Sequence, residues 1–523
     1  MKPRLYVASR VHTFDPEAPA ANALLVIDGR VASVGSADHL RDAWRAADVH
    51  DFGDAVITPG LTDAHIHITE WAVARQHVQL AEAASIADCL SAIARVPAAG
   101  RAWMQGRGWN PHKWGGDYPD RHQLDSVIPT TPAAFQSHDM HALWVNSAAL
   151  REAGIDAHTP DPEGGRIVRD EDGAPTGMLL ETAAQLVVSR IPQVTVADMM
   201  DAVVEAQREL HGYGITGIHS FPGVHLPEPD PLPVLQQLLE RDQLKLRVLQ
   251  HIAVEKLDEA ISLGIRSGMG GPWIRFGGVK MFLDGALGSR TAWMREPYES
   301  SSDHGVEVMA LSDFTGHVQR AAAAGIATVV HAIGDAAVAR AFDVLSAAPR
   351  VPALPHRIEH VQCFPRDKIG LLDRGIVCSV QPCHLMTDWP AAERHWGDRS
   401  AATYAFRTML DHGAVLACGS DAPVESADPR LGFYAAVARR DSRHEPAGGW
   451  HAEQNIGIAE VLAGYTRGAA VAAGAAAWQG TLAVGAVADF AIWKEDPLLC
   501  NQAGLLELEV AATVVNGEVV WQG

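Results

Sequence analysis

The stretch TPGLTDAHIH at residues 58–67 ends in two histidines separated by one residue. Residues i and i+2 of a strand point to the same face, so His65 and His67 could reach one metal ion together. In a chain with 25 histidines, a lone pair of this kind is a weak signal. The stretch alone leaves two interpretations open: a pair of metal ligands, or two ordinary histidines.

The middle of the chain alternates short apolar segments with alanine-rich amphipathic segments, a pattern typical of parallel βα units. Eight strands are predicted, at residues 56–67, 215–219, 246–253, 274–284, 327–331, 357–360, 376–381 and 415–421. Eight such units predict an α/β fold of the (β/α)8, or TIM barrel, type.

The two ends of the chain are rich in β-forming residues, with hairpin signals at Asp28-Gly29 and Asn516-Gly517. We expect residues 1–57 and 481–523 to form one composite, sandwich-like β domain, and residues 58–480 to form the barrel. The gap between the first two barrel strands is too long for one crossover helix. It predicts a subdomain at residues 68–209, inserted in the barrel, with a lid-like role.

Four further predicted strand ends carry side chains that suit a metal site: Lys280 and Asp284 on the fourth strand, His331 on the fifth, His360 on the sixth and Asp421 on the eighth. Catalytic groups of this architecture gather at the C-terminal ends of the strands. Each residue alone also has a structural interpretation, such as a hydrogen-bonded core histidine or a helix cap. Their joint occurrence favours a shared metal site.

Lys280 requires a separate argument, because burial and charge repulsion disfavour an ammonium beside metal cations. Reaction of its neutral amine with CO2 would give a carbamate, an anionic oxygen ligand that can bridge two divalent ions. The alternative is an ordinary salt bridge from Lys280 to Asp284, Asp421 or Glu181, and the sequence leaves both open.

Composition excludes several other classes of function. The excess of 63 acidic over 42 basic residues gives a formal charge of −21, which disfavours binding to nucleic acid or anionic lipid. The six cysteines form no Cys-x-x-Cys pair, as expected for reduced thiols in a cytoplasmic protein. We find no signal-peptide core and no apolar run near the roughly 20 residues that a membrane span needs, so no membrane partner is expected.

The candidate ligands, taken in strand order, resemble the metal-ligand set of the amidohydrolase superfamily: His65, His67, Lys280, His331, His360 and Asp421. Three longer strings are similar to the branch that contains N-substituted formamide deformylases: GRGW at 106–109, DMHALWVNS at 139–147 and FLDGALGSRT at 282–291. The resemblance covers nearly the whole chain and implies hydrolysis of a C–N bond by metal-activated water.

The resemblance also implies a role for each residue. His65 and His67 would bind one metal ion, His331 and His360 a second, and carbamylated Lys280 would bridge the two. The implied cofactor is one or two divalent ions per chain, with zinc as the expected metal.

Two residues receive catalytic roles in the same way. Asp421 would bind the first ion, take a proton from the attacking water as general base, and return it to the leaving nitrogen. His141 is the implied donor to the oxyanion of the tetrahedral intermediate, with His219 as an alternative donor.

The expected function is therefore metal-dependent hydrolysis of an amide in a small molecule, such as an N-substituted formamide or an N-acyl amine. An alternative within the superfamily is a deaminase or a cyclic amide or imide hydrolase. A mononuclear deaminase would not need Lys280 as a ligand. A non-enzymatic alternative is a metal-binding scaffold. A homodimer is the default oligomeric state.

Overall fold

The structure is a computed structural model that describes residues 2–16, 21–98, 100–114, 117–137, 142–162, 164–192, 194–223 and 230–523. The chain divides into two compact units, one of Met1–Trp71 with Val203–Gly523 and one of Ala72–Ala202. The finer division of the first unit into a barrel and a terminal domain, with the predicted boundaries, stays a prediction, as does the lid-like role of the insertion.

The strands are, in chain order, β1 (Arg4–Val11), β2 (Ala21–Ile27), β3 (Arg30–Gly35), β4 (Asp48–Asp51), β5 (Val56–Pro59), β6 (Leu61–Ile66), β7 (Val78–Gln79), β8 (Met104–Trp109), β9 (Ala133–Ser137), β10 (Ala142–Val145), β11 (Gly165–Arg169), β12 (Pro175–Glu181), β13 (Ile215–Ser220), β14 (Arg247–Ala253), β15 (Ile274–Phe282), β16 (Ala327–Ala332), β17 (Arg357–His360), β18 (Val377–Val380), β19 (Val415–Cys418), β20 (Phe490–Trp493), β21 (Val510–Val515) and β22 (Glu518–Gln522).

The α-helices are α1 (Ala37–Ala43), α2 (Ile68–Ala74), α3 (Ile86–Ala94), α4 (Arg121–Asp125), α5 (Ser147–Ala153), α6 (Gln185–Val188), α7 (Val196–Gly212), α8 (Pro231–Glu240), α9 (Leu257–Ser262), α10 (Leu311–Ala323), α11 (Asp335–Ala347), α12 (Leu385–Trp396), α13 (Phe406–Asp411), α14 (Pro429–Ala438), α15 (Ile458–Ala463) and α16 (Ala469–Ala472). Short 3-10 turns connect several of them, including Pro382–His384 before α12.

Strands from both ends of the chain share one sheet, in the order β22-β21-β20-β5-β1-β2-β3, with β4 beside β1. The hairpins β2–β3 and β21–β22 turn at Asp28-Gly29 and Asn516-Gly517, where all four residues have a positive φ. Asn, Asp and Gly tolerate this conformation, which explains why the turn signals in the sequence were informative.

The eight parallel strands of the barrel run in the order β6, β13, β14, β15, β16, β17, β18 and β19. The ring closes where the backbone N–H of Asp421 donates to the carbonyl of His65 at 2.7 Å, and that of His67 donates to the carbonyl of Ala422 at 2.9 Å. The predicted (β/α)8 fold is confirmed, and the segments after β6 and β19 lie side by side.

The single strand predicted at residues 56–67 is wrong, because the chain changes sheets at Gly60. β5 pairs antiparallel with β20 in the terminal sheet, whereas β6 pairs parallel with β13 in the barrel. A Cβ atom at Gly60 would lie 2.3 Å from the Thr216 side chain, so the change of direction requires glycine. Every residue of both strands is buried, so the burial pattern does not separate them, and the Pro59-Gly60 step marks the change of sheet.

The unit Ala72–Ala202 holds a six-stranded sheet in the order β11-β12-β10-β9-β8-β7. Trp109 and Trp144 are fully buried in its core, and Trp109 Nε1 donates to the carbonyl of Phe135 at 2.7 Å. Gly106 packs against Phe135, where a Cβ atom would lie within 2.5 Å of that ring. The GRGW string is therefore explained by packing within this unit.

All six cysteines are free thiols, and five of them are buried. Within the described part of the chain, no helix combines the length and the apolar character that crossing a bilayer demands.

Candidate metal centre

Two histidines and one carboxylate come together where the first and last barrel strands end. His65 lies on β6, His67 follows its last residue, and Asp421 follows β19; all three are buried. The Nε2 atoms of both histidines lie 3.3 Å from Oδ1 of Asp421. Among the described residues these three offer ligand atoms within 4.8 Å of one another, a separation that one metal ion can span. We call them the first half-site.

Hydrogen bonds fix which nitrogen of each imidazole faces this centre. His65 Nδ1 lies 2.6 Å from Glu359 Oε2, and His67 Nδ1 lies 2.8 Å from the carbonyl of Pro222. Both Nδ1 atoms therefore donate, which leaves the lone pair on Nε2. His65 Nε2 is buried and has no hydrogen-bond partner among the described residues. A bound cation would satisfy this atom, so the residues fit a metal.

Electrostatics favour the protonation states that metal binding needs. Burial lowers the pKa of His65 to about 4, so its imidazole is neutral near pH 7. Burial alone would raise the pKa of Asp421, but the neighbouring His65, His67 and His360 hold it well below its ordinary value. The first half-site thus presents a neutral imidazole at His65 and an ionised carboxylate at Asp421.

The backbone around Asp421 is strained and is held by a buried network. Asp421 has a φ of 61°, a conformation that costs a non-glycine residue about 1–3 kcal/mol. Asp63 accepts hydrogen bonds from the backbone N–H and hydroxyl of Ser420, at 3.0 and 2.5 Å, and from the N–H of His65 at 3.0 Å. Asp63 therefore ties the ends of β6 and β19 together and keeps Asp421 facing the two histidines.

A second pair of imidazoles lies beside the first. His331 on β16 and His360 on β17 have ring centroids 4.5 Å apart, and His360 lies 5.1 Å from the ring of His65. His331 Nε2 donates to the carbonyl of Gly285 at 3.0 Å, whereas His360 Nδ1 donates to Oε1 of Gln381 at 2.7 Å. The free lone pairs are thus Nδ1 of His331 and Nε2 of His360.

Lys280 on β15 is 3% exposed and completes this second group. Its Nζ lies 4.8 Å from the ring centroid of Phe221 and 4.7 Å from that of Phe282. Burial lowers its pKa to about 8. Within the described residues it forms no ion pair, so the structure does not show the salt bridge considered above. We call Lys280, His331 and His360 the second half-site.

Asp284, one candidate for that salt bridge, has other partners. Its carboxylate accepts backbone N–H groups from Trp293 at 2.9 Å, Ile333 at 3.0 Å and Gly334 at 2.8 Å. Its Oδ1 also lies 3.5 Å from Nε2 of His331. Asp284 therefore holds the loop after β15 against the end of β16 and supports the orientation of His331.

An Arg357–Glu359 pair inside the barrel was missed by the sequence analysis. Arg357 donates to both carboxylate oxygens of Glu359, at 2.5 and 3.0 Å, and Glu359 is fully buried. Burial would raise the pKa of Glu359, but Arg357 and His65 hold it well below its ordinary value. The sequence signal for this pair was its spacing, because Arg357 and Glu359 are two residues apart on β17 and such residues point to the same face of a strand. His360 has a φ of 73°, which breaks this alternation.

The structure describes only one of the two histidines expected to donate to the oxyanion. His219 is buried inside the barrel, and its Nδ1 lies 2.8 Å from a guanidinium nitrogen of Arg357. Because Nδ1 accepts this hydrogen bond, the ring proton lies on Nε2, and His219 keeps an N–H donor there. His141 lies outside the described residues.

An eight-stranded parallel barrel whose strand ends present histidines and a carboxylate is an arrangement suited to metal-assisted hydrolysis. The chain belongs to the Amidohydrolase family, whose sequence profile matches residues 48–521. It is therefore a metal-dependent hydrolase of this superfamily, as the resemblance of its ligand set implied.

Individual relatives cover almost the whole chain. A Bacillus subtilis protein named "Putative amidohydrolase YtcJ" is 30% identical over 98% of both chains. An N-substituted formamide deformylase from Arthrobacter pascens is 28% identical over 99% of this chain and 98% of that one. The crystal structure of a metal-dependent hydrolase from Pyrococcus horikoshii superposes with a TM-score of 0.78 at 25% identity, covering 96% of this chain and 99% of that chain.

Proposed function

We propose that the chain hydrolyses the amide C–N bond of a small molecule, with N-substituted formamides and N-acyl amines as the substrate classes. The observation that carries the proposal is the first half-site, in which the unpartnered Nε2 of His65 faces the ionised carboxylate of Asp421. The similarity to a formamide deformylase along nearly the whole chain supports this choice of bond.

The donor set suits zinc, because imidazole nitrogen and carboxylate oxygen are its usual ligands. His65, His67 and Asp421 would hold one ion, and His331, His360 and Lys280 a second. A bound divalent ion would supply Lewis acidity, which lowers the pKa of water from 15.7 to about 7 and polarises a carbonyl.

Asp421 is the group that would move the proton. Its carboxylate is ionised, because nearby histidines hold its pKa well below the ordinary value. One oxygen lies 3.3 Å from Nε2 of both His65 and His67, which leaves the other oxygen, Oδ2, to take a proton from water. Asp421 would then return this proton to the leaving nitrogen, which departs as a neutral amine.

Lys280 would join the second half-site as a carbamate. Burial between Phe221 and Phe282 lowers the pKa of its amine and so increases the neutral fraction that can react with CO2. Carbamylation converts a buried cation, which has no ion-pair partner among the described residues, into an anion beside two imidazoles. In this proposal His141 remains the donor to the oxyanion, and the cytoplasmic location and the homodimer stay predictions.

The test is metal removal and reconstitution, combined with a substrate screen. Protein stripped with a chelator should lose activity on formamides or N-acyl amines and regain it with zinc. His65→Gln should bind less zinc and stay inactive. His39→Gln, an exposed histidine of α1, is the matched control and should behave as wild type.

The products distinguish this proposal from its alternatives. Release of a carboxylic acid, such as formate, together with an amine supports the proposal. Release of ammonia from a heterocycle, or opening of a cyclic imide without turnover of any linear amide, would replace it with the corresponding reaction. Activity that survives complete metal removal would contradict it.

A further inference from the structure

Three side chains without a role so far follow the C-terminal ends of β18 and β19, and one of them, His384, lies beside Asp421. We call His384, Asp388 and Glu425 the mouth cluster. His384 and Asp388 are four residues apart at the start of α12, and such a spacing places two side chains on one helix face. The hydroxyl of Thr387 donates to Oε1 of Glu425 at 2.6 Å and ties the loop after β19 to this helix.

His384 is a buried polar side chain with an unsatisfied atom. It is 7% exposed, and no group in the described part of the chain forms a hydrogen bond with its Nε2. This nitrogen is aimed at the metal centre, 3.8 Å from Oδ2 of Asp421, which is too long for a hydrogen bond. Buried polar atoms in native structures nearly always have a partner, so an exception needs a reason. A bound polar group would provide one.

The two carboxylates of the mouth cluster accept hydrogen bonds from neutral hydroxyl groups. Asp388 Oδ2 accepts a hydrogen bond from the hydroxyl of Tyr404 at 2.6 Å, and Glu425 accepts one from Thr387. Within the described residues, neither carboxylate forms an ion pair with lysine or arginine. Burial raises the pKa of both groups, whereas His384 lowers it. Partly buried carboxylates are usually paired with a cation, so the cluster is incomplete by itself.

The spacing of the cluster argues against a further metal ion. Among the described residues, His65, His67 and Asp421 form the one group of three or more candidate ligands whose atoms come within 4.8 Å. The ligand atoms of the mouth cluster do not all lie within this distance of one another. An organic ammonium group suits it better, because it carries three donors that can point to separate acceptors.

We infer that the mouth cluster is a substrate subsite for a positively charged nitrogen group, such as a primary ammonium, carried by the amide substrate. This inference rests on the proposed function and deepens it. Asp388 and Glu425 supply two carboxylate acceptors for the ammonium, and His384 Nε2 supplies a third polar contact next to Asp421. The enzyme would then prefer amides with a cationic substituent over neutral amides of the same length.

Calorimetric binding to the zinc-loaded enzyme near neutral pH tests the subsite. The probes are n-pentylammonium and 1-pentanol, which have similar apolar chains and differ in the charged group. We expect the ammonium to bind roughly tenfold more tightly, as one or two charge-assisted hydrogen bonds would produce. Asp388→Asn and Glu425→Gln should each reduce this preference several-fold and leave the binding of 1-pentanol unchanged.

Controls make each outcome informative. Glu240→Gln removes one negative charge from an exposed position of α8 and should keep the full preference. The zinc content and melting temperature of each variant show whether it folds. If either Asp388→Asn or Glu425→Gln fails to fold, the other variant still tests the subsite. Equal affinity of the two probes, or a preference that survives both substitutions, would overturn the inference.

The binding test is independent of turnover. Since neither probe contains an amide, the subsite can be measured even if no amide is hydrolysed, in which case the proposed function fails and the subsite stands. Conversely, hydrolysis of neutral and cationic amides at equal rates, together with equal binding of both probes, would refute the subsite and retain the function.

Discussion

The two half-sites of the metal centre differ in how completely the protein prepares them. In the first, His65 and His67 both lie 3.3 Å from an ionised Asp421. In the second, His331 and His360 are close, but the third member is Lys280, a cation at neutral pH that must change chemically before it can bind a metal. The first half-site should therefore fill readily, whereas the second depends on carbamylation.

The groups that hydrogen-bond to the ligand imidazoles also differ between the two half-sites. The imidazole of His65 contacts Glu359, whose negative charge is balanced by Arg357. The imidazole of His360 contacts the neutral amide of Gln381. A carboxylate partner makes an imidazole a stronger ligand than an amide does. A carboxylate therefore contacts an imidazole at hydrogen-bond distance in the first half-site, whereas Asp284, the carboxylate beside the second, lies 3.5 Å from Nε2 of His331.

The largest effect is expected for Asp421→Asn, which removes the base and keeps an oxygen atom as a ligand. Turnover should fall by about 100- to 10,000-fold, the range of general acid–base catalysis. Metal analysis of the same sample should show that most of the metal remains. Turnover near the wild-type rate would remove Asp421 from the proton-transfer role.

The next effect is expected for Lys280→Ala, which tests the dependence of the second half-site on this side chain. The variant should lose metal from the second half-site and most of its activity. Short-chain carboxylic acids added to the solution should restore part of both, because their carboxylate can replace the carbamate. A full metal content, or an activity loss that no added acid relieves, would show that Lys280 is not a bridging ligand.

A smaller effect is expected for the partners of the imidazoles. Glu359→Gln should weaken binding of the ion in the first half-site by roughly 10- to 100-fold. Gln381→Met, its counterpart in the second half-site, should affect only the second ion. Competition with a fluorescent chelator measures both affinities, and the melting temperature controls for misfolding. Equal losses at both ions in each variant would abolish the distinction between the half-sites.

The sequence predicted the fold well, because the fold follows from local patterns, whereas the roles of the candidate ligands stay predictions. Strand periodicity and the rule that functional groups lie at C-terminal strand ends were sufficient to single out His331 and His360. The change of sheet at Gly60 was missed although Pro59-Gly60 is a turn signal, since a strand lies directly on each side of it. Its cause is the close approach of Thr216, which is more than a hundred residues away in the chain.

Other parts of the site depend on contacts that no local pattern contains. The eighth strand ends at Cys418, three residues before Asp421, and the positive φ of Asp421 directs its side chain into the barrel. The pairing of Arg357 with Glu359 resembles any polar pair in a strand until the contact with His65 is seen. The mouth cluster joins the start of α12 to the loop after β19, and the absence of a lysine or arginine partner among the described residues is visible only in three dimensions.

The most direct test of the account is anomalous diffraction from a crystal of the zinc-loaded protein. If the first half-site binds zinc, we expect a zinc peak about 2.0–2.2 Å from Nε2 of His65, Nε2 of His67 and a carboxylate oxygen of Asp421. A protein that binds zinc elsewhere, and shows no peak within bonding distance of these three atoms, would contradict it.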